Sequence, residues 1–261
     1  MAVAPPVPAH AAADAHLEVS GAVREVDGEL EVEVVLTNRT ESPMGPVTAE
    51  AELLGQRSQA ALKEGLPAAA TGHLVFRLPL EIPQPGVYPV TLLLDYSVGG
   101  DSPSPALSQR AFLLVALGAQ AEAPVRISVP DLRLRSYGKL QVSVQSADGT
   151  AHHVRLRAEP PRGLRALEDT REVDVPAQGA VLLELGLLRS GAPRGPQGLL
   201  VIAESSEGAA HRTAVATGTV DVLPDDPWLP RLRGGLAITA GLLFGASLLA
   251  ELRRRRRPRE G

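Results

Sequence analysis

Along residues 28–36 apolar and acidic positions take turns, with Leu30, Val32, Val34 and Leu36 on one parity and Glu29, Glu31 and Glu33 on the other. A period of two places successive side chains on opposite faces, so the stretch predicts a strand with one buried and one solvated, acidic face. Val26-Asp27-Gly28-Glu29 supplies the Asp-Gly signal of a tight hairpin turn, making residues 16–25 the preceding strand. Val47, Ala49, Ala51 and Leu53 alternate in the same way with Thr48, Glu50 and Glu52. Leu74, Phe76 and Leu78 mark another strand, a short one falls near residues 59–62, and residues 88–96 and 111–117 complete the set. Short strands at this spacing, separated by turn residues, predict a β-sandwich.

The second half repeats the first. Gly138-Lys-Leu140-Gln-Val142-Ser-Val144 matches Gly28-Glu-Leu30-Glu-Val32-Glu-Val34 at an offset of 110. Strands follow at residues 154–158, 171–175, 180–187, 198–204 and 213–222, and "GAQAEAP" (118–124) reads as a short linker.

The pattern changes after residue 233. Residues 234–250 carry no charge, and their polar side chains are Thr239 and Ser247 alone, so no polar face exists. A helix of that length reaches about 26 Å at ~1.5 Å per residue, short but adequate for a hydrocarbon core of ~30 Å. Gly234, Leu236, Gly241, Phe244, Gly245 and Leu249 are the anchor positions, and Trp228 sits where an interfacial ring is expected. Arg253, Arg254, Arg255, Arg256 and Arg257 follow directly. Cationic flanks stay in the cytoplasm, so the C-terminus is expected inside and the body outside. Gly241 and Gly245 form a G-x-x-x-G, which lets two helices approach closely and offers a homodimer contact.

The predicted organisation is therefore a disordered leader or signal-peptide remnant (1–15), sandwich 1 (16–118), sandwich 2 (125–222), a stalk (223–233), a transmembrane helix (234–252) and a basic cytoplasmic tail (253–261). Residues 1–15 lack a basic n-region and an apolar h-region, although Ala9-His10-Ala11 resembles a cleavage pattern.

Composition narrows the function. Residues 1–230 hold 18 Lys+Arg and 28 Asp+Glu, a net −10, and residues 231–261 hold 8 Arg and 2 Glu, a net +6. An acidic body argues against nucleic-acid binding, which needs clustered cations. With no cysteine, disulfides, thiolate nucleophiles and Cys-ligated metals are excluded. The abundance of Ala, Gly, Pro and Arg over Lys is typical of a G+C-rich bacterial genome.

"LEVEVVLTNRTESPMGPVTAEAEL" (30–53) resembles the strand–Asn–loop–strand unit of bacterial immunoglobulin-like domains of the CARDB type, and "PQPGVYPVTLLLDYS" (83–97) is similar to their E–F corner. The resemblance implies an all-β fold of two tandem immunoglobulin-like β-sandwiches, to which the C-terminal transmembrane α-helix is added. It implies that Tyr88 is a tyrosine-corner residue, its hydroxyl tied to upstream backbone, with Gly198 or Leu199 in its place in the second domain. It also implies spacer, adhesion or subunit-binding roles. Asn38-Arg39-Thr40 stands where the family often has Gly soon after the Asn.

Candidate chemistry is sparse. His10, His16, His73, His152, His153 and His211 have no H-x-x-x-H spacing, and the adjacent His152 and His153 face opposite ways on a strand and are expected at the surface. No nucleophile elbow, P-loop or dinucleotide fingerprint occurs. Glu29, Glu31 and Glu33 read as a solvated strand face, not an acid–base pair. Asp95, Asp101 and Asp131 are isolated, without the D-x-D grouping of a calcium site. The Asn38 sequon is read as a chance match. No catalytic, cofactor-binding or metal-binding residue is expected.

These readings converge on a non-enzymatic single-pass protein of a bacterial inner membrane, its body periplasmic or extracellular. Its partners are membrane lipid and proteins of the envelope, and it would act as an interaction or accessory subunit. The alternative is a surface adhesion or binding protein, because Gly234-Gly235 before the helix resembles a Gly-Gly-type C-terminal sorting signal.

Overall fold

In the computed structural model the described residues are 16–80, 84–99, 106–118, 122–206 and 210–224. All helix or strand among them is strand. The first seven are β1 (Leu17–Val26), β2 (Glu29–Asn38), β3 (Val47–Leu53), β4 (Gln56–Leu62), β5 (Thr71–Pro79), β6 (Gly86–Tyr96) and β7 (Leu107–Leu117). They form two sheets, β1-β2-β5 and β4-β3-β6-β7. The apolar parity of β2 explains the arrangement: Leu30, Val32, Val34 and Leu36 are all buried and share one core with Val47, Ala49, Ala51, Leu53, Phe76 and Leu92. The β1–β2 hairpin closes at Asp27 and Gly28, with φ of 52° and 81°. Both values are positive, as a type I′ turn requires, and this geometry fits the right-handed twist of the paired strands.

The next nine strands are β8 (Val125–Ser128), β9 (Leu132–Leu134), β10 (Tyr137–Ser146), β11 (His152–Glu159), β12 (Leu164–Ala166), β13 (Arg171–Val175), β14 (Ala180–Arg189), β15 (Gly195–Ser205) and β16 (Arg212–Val222). They form the sheets β12-β14-β10-β8 and β13-β11-β15-β16-β9. Leu140, Val142 and Val144 of β10 lie in a second core with Val154, Leu156, Leu185, Leu187 and Leu199. β9 pairs parallel with the end of β16, from Val220↔Leu132 to Val222↔Leu134. The Leu223 N–H then donates to the Leu134 carbonyl at 2.8 Å.

Both halves are thus sandwiches of immunoglobulin-like type, antiparallel apart from the β9–β16 pair, with the strands of each core contributed by two sheets. Three short strands, β8, β9 and β12, are absent from the sequence pattern. Four residues or fewer cannot display a period.

Two side chains depart from their expected surface placement. Glu31 is 6% exposed. Arg24 of β1 hydrogen-bonds it and Arg77 of β5 lies 3.4 Å away, so cross-strand cations fold over the acidic face. His152 is 8% exposed and its Nε2 lies 2.8 Å from Asp148 Oδ1, inside the loop that also binds Thr150. His153, by contrast, is exposed beside Asp174.

Among the described residues no helix is long and apolar enough to cross a membrane. The predicted anchor (Gly234, Leu236, Gly241, Phe244, Gly245, Leu249), Trp228 and Arg253–Arg257 lie outside the described residues.

Candidate functional site at the seam between the sandwiches

β6 and β15 differ from the alternating strands. In β6 the run 88–94 is buried without interruption, and in β15 so is 199–203. Strands buried on both faces read as continuous apolar sequence, and "LLL" (92–94) and "LLVIA" (199–203) do so. Leu93, Phe112, Leu200 and Ile202 are buried yet belong to neither core. They lie on the parity facing away from those cores. The outer faces of β6–β7 and β15–β16 therefore cover one another. Burying four such side chains is worth on the order of 10 kcal/mol gross, at ~1.5–3 kcal/mol each.

Polar contacts fix the register of this seam. At one end Arg162 Nε meets Asp95 Oδ2 at 3.1 Å, and the Arg162 N–H donates to Ser108 Oγ at 3.1 Å. Arg110 Nη1 lies 3.5 Å from Glu159 Oε2, and Arg110 Nε donates to the Pro160 carbonyl at 3.2 Å. At the other end the His211 N–H donates to the Pro85 carbonyl and the Val87 N–H donates to the His211 carbonyl, each at 2.9 Å. Thr213 Oγ1 donates to the Val87 carbonyl at 2.8 Å. A Cβ on Gly86 would lie 2.2 Å from the His211 carbonyl oxygen, so this backbone approach requires glycine.

His211 is 8% exposed and stacks on Tyr88, with ring centroids 4.3 Å apart and planes 4° from parallel. The Tyr88 hydroxyl donates to the Gln84 carbonyl at 2.6 Å. Burial raises the Tyr88 phenol above its ordinary value. Glu204 Oε1 lies 3.6 Å from His211 Nε2, and Ser206 Oγ lies 3.5 Å from Nδ1. Burial alone would raise the Glu204 carboxyl, but His211, Arg157 and Arg155 outweigh it and hold the group below its ordinary value. Serine, histidine and glutamate in a row suggest a hydrolytic triad. A nucleophile–base pair is ordinarily about 2.6–3.2 Å apart, against 3.5 Å between Ser206 Oγ and His211 Nδ1 here. The cluster joins the two sandwiches.

A cleft of about 80 Å³ opens near the Asp95 end, lined by Tyr96, Ser108 and Gln109 from the first sandwich and Arg194, Gln197 and Thr219 from the second. Gln109 is committed: its Nε2 donates to the Leu17 carbonyl at 2.8 Å, and its Oε1 accepts from the Tyr96 hydroxyl at 3.1 Å. Burial pushes the Tyr96 phenol well above its ordinary value. Gln197 is the third residue of β15, as Tyr88 is of β6.

The other residues singled out in the sequence are dispersed. His16 and His73 are exposed on the first sandwich, and Asp131 is exposed on the second. Asp95 is committed to Arg162. Asn38 is 1% exposed, and its Nδ2 lies 2.9, 3.2 and 3.0 Å from the carbonyls of Ser42, Leu66 and Pro67. Its Oδ1 accepts from the Thr40 N–H and hydroxyl. The sequon asparagine is an internal brace of the β2–β3 loop. Among the described residues no group of three or more His, Asp or Glu side chains could hold a metal ion.

No protein-family model and no curated protein sequence matches the chain. Solved structures give low-scoring matches. Red sea bream transglutaminase is 16% identical over 81% of this chain and 32% of its own, with a TM-score of 0.27. Trypsin-activated alpha-2-macroglobulin from Escherichia coli is 10% identical over 79% of this chain and 18% of its own, TM-score 0.30. A protein of unknown function from Porphyromonas gingivalis W83 is 13% identical over 80% of this chain and 100% of its own, TM-score 0.32. The chain thus spans about a third of the transglutaminase and under a fifth of the macroglobulin. At these scores the matches carry no argument about activity.

Proposed function

We propose that this chain is a non-enzymatic, single-pass membrane protein whose CARDB-like double sandwich stands outside a bacterial inner membrane. It acts there as an interaction or accessory subunit of an envelope complex. The observation that carries the reading is the uncharged run 234–250 followed, after Glu251 and Leu252, by Arg253–Arg257, with two arginines (Arg231 and Arg233) close before it and six after. The seam supports it: two sandwiches fastened by a buried apolar layer and by ion pairs offer a partner a fixed surface. The second reading, a surface adhesion protein released or transferred at its C-terminus, is favoured by Gly234-Gly235.

The absence of cysteine makes the test clean. Single cysteines replace Val75 in the body and Gly261 in the tail, and spheroplasts are treated with a membrane-impermeant maleimide. Labelling of position 75 in intact cells, and of position 261 only after permeabilisation, is the expected result. The opposite pattern overturns the topology. A mature form lacking the residues after Gly235 transfers the assignment to the second reading.

A further inference from the structure

The cleft at the Asp95 end of the seam has a lining opposite in charge to the body around it. Residues 1–230 carry a net −10, yet among the described residues the cleft is lined by Arg194 and His16 and by no aspartate or glutamate. Both of these side chains are exposed. Arg77, Arg110 and Arg162 each lie close to a carboxylate, at 3.4, 3.5 and 3.1 Å. Arg194 has no such partner among the described residues, so its guanidinium keeps its donors.

The acids on neighbouring strands are answered by cations of their own. Asp95 is held by Arg162 and Glu159 by Arg110. Glu18, close to His16 in the chain, pairs with Arg39. Asp221 is opposite Pro196 of the cleft in one register and opposite Arg133 in the other, so it too stands beside a cation.

Uncharged groups decide what kind of anion fits. The Ser108 oxygen accepts from the Arg162 N–H, which leaves its own hydroxyl proton for a further acceptor. Thr219 lines the same space with a second hydroxyl. Gln197, another lining residue, is 4% exposed, and its side-chain amide has no hydrogen bond among the described residues. Leu107 and Pro196 add an apolar wall. The space is about 80 Å³, well below the ~300–1,000 Å³ of a site for a drug-sized molecule, so it takes a small group. A guanidinium matches a carboxylate, whose two oxygens accept from its paired N–H groups. One fixed cation balances a monoanion, not a phosphate dianion, and the apolar wall covers a hydrocarbon stem that phosphate lacks.

From these observations we propose that the cleft is a binding site for a short-chain aliphatic carboxylate, with Arg194 as its anchor. Both sandwiches contribute to the site, and it is independent of the membrane topology.

The test uses the full-length chain in mild detergent, with 3-fluorotyrosine in place of its three tyrosines. Tyr96 lines the cleft, Tyr88 lies on His211 at the far end of the seam, and Tyr137 is exposed on the second sandwich. Tyr96→Phe assigns the Tyr96 fluorine signal. Titration with sodium butyrate at constant ionic strength is expected to shift that signal saturably, in the millimolar range, and to leave Tyr137 unmoved. Arg194→Gln should weaken the binding at least tenfold while the Tyr88 signal, and with it the seam, stays in place. Arg133→Gln, outside the cleft, should leave the binding unchanged. Inorganic phosphate should give no saturable shift. No saturable shift at Tyr96, an equal shift at Tyr137, binding that survives R194Q, an equal loss in R133Q, or phosphate matching butyrate would each overturn the proposal. The maleimide test of topology reads the side of the membrane and not the cleft, so failure of either is separable from failure of the other.

Discussion

Tyr88 of the first sandwich lies flat on His211 of the second, 4.3 Å between ring centroids. The same tyrosine closes its own corner through Gln84. One ring thus serves a turn inside one domain and a joint between two. The consequences separate by atom. Tyr88→Phe keeps the stacked ring and removes the hydroxyl, leaving the Gln84 carbonyl without its donor. A loss of about 1 kcal/mol is expected. Tyr88→Ala removes a fully buried ring and is expected to cost ~3–5 kcal/mol. Denaturant unfolding of the two variants distinguishes hydroxyl from ring.

The seam predicts cooperative unfolding of both sandwiches. Calorimetry of the detergent-solubilised chain should show one endotherm for residues that unfold together. Ile202→Glu places a charge in the layer between the sandwiches without touching either core, and should split that endotherm in two. A single unsplit transition in the variant would show that the sandwiches are not coupled through this layer.

Acid should loosen the joint. Glu204 has its folded-state value below the ordinary 4.5. The stability it contributes is therefore present above about pH 4.5 and is lost as pH falls through the lower folded value. Asp148, held down chiefly by His152 and Thr150, adds a slope of the same sign. Stability should fall as pH drops from about 5 toward about 3, and Glu204→Gln should flatten part of that fall. At the alkaline end Tyr96, raised by burial, contributes stability present below pH 10 and lost above it. Tyr96→Phe should weaken that alkaline dependence.

Asn38 gives a chemical test. Its amide is occupied by three carbonyls in the folded chain, so the sequon should remain unmodified when the folded protein meets an oligosaccharyltransferase, as intact mass would show. Asn38→Ala removes the amide shared by the three carbonyls, which keep donors in the Thr40 hydroxyl and the Met44 and Ala70 N–H groups, and leaves the Thr40 N–H without its acceptor, so a loss of ~1–3 kcal/mol is expected. An asparagine that tolerates alanine at no cost would refute the bracing role.

The sequence revealed what has a period. β2, β3 and β5 alternate, and the alternation alone assigns their core-facing and outward-facing positions. Leu92-Leu93-Leu94 and Leu199–Ala203 carried a second message in the same residues: an uninterrupted apolar run marks a strand covered on both sides. That signal locates the seam without saying what covers it. The burial of Glu31 and His211 was not legible, because it depends on Arg24, Arg77 and Tyr88, which reach them from other strands. The cleft was hidden for a related reason. Its His16, Ser108, Arg194 and Thr219 are far apart in the chain and meet only once the two sandwiches are in place.

The way the described chain leaves the second sandwich sets how it bears load. β16 runs between β15 on one flank, in register from Gly195↔Val222 to Ser205↔Arg212, and the parallel β9 on the other. Tension applied beyond Leu223 pulls this strand along its own axis. The ladder bonds on both sides are then strained together, not peeled one at a time, and the strand at the exit becomes a mechanical clamp.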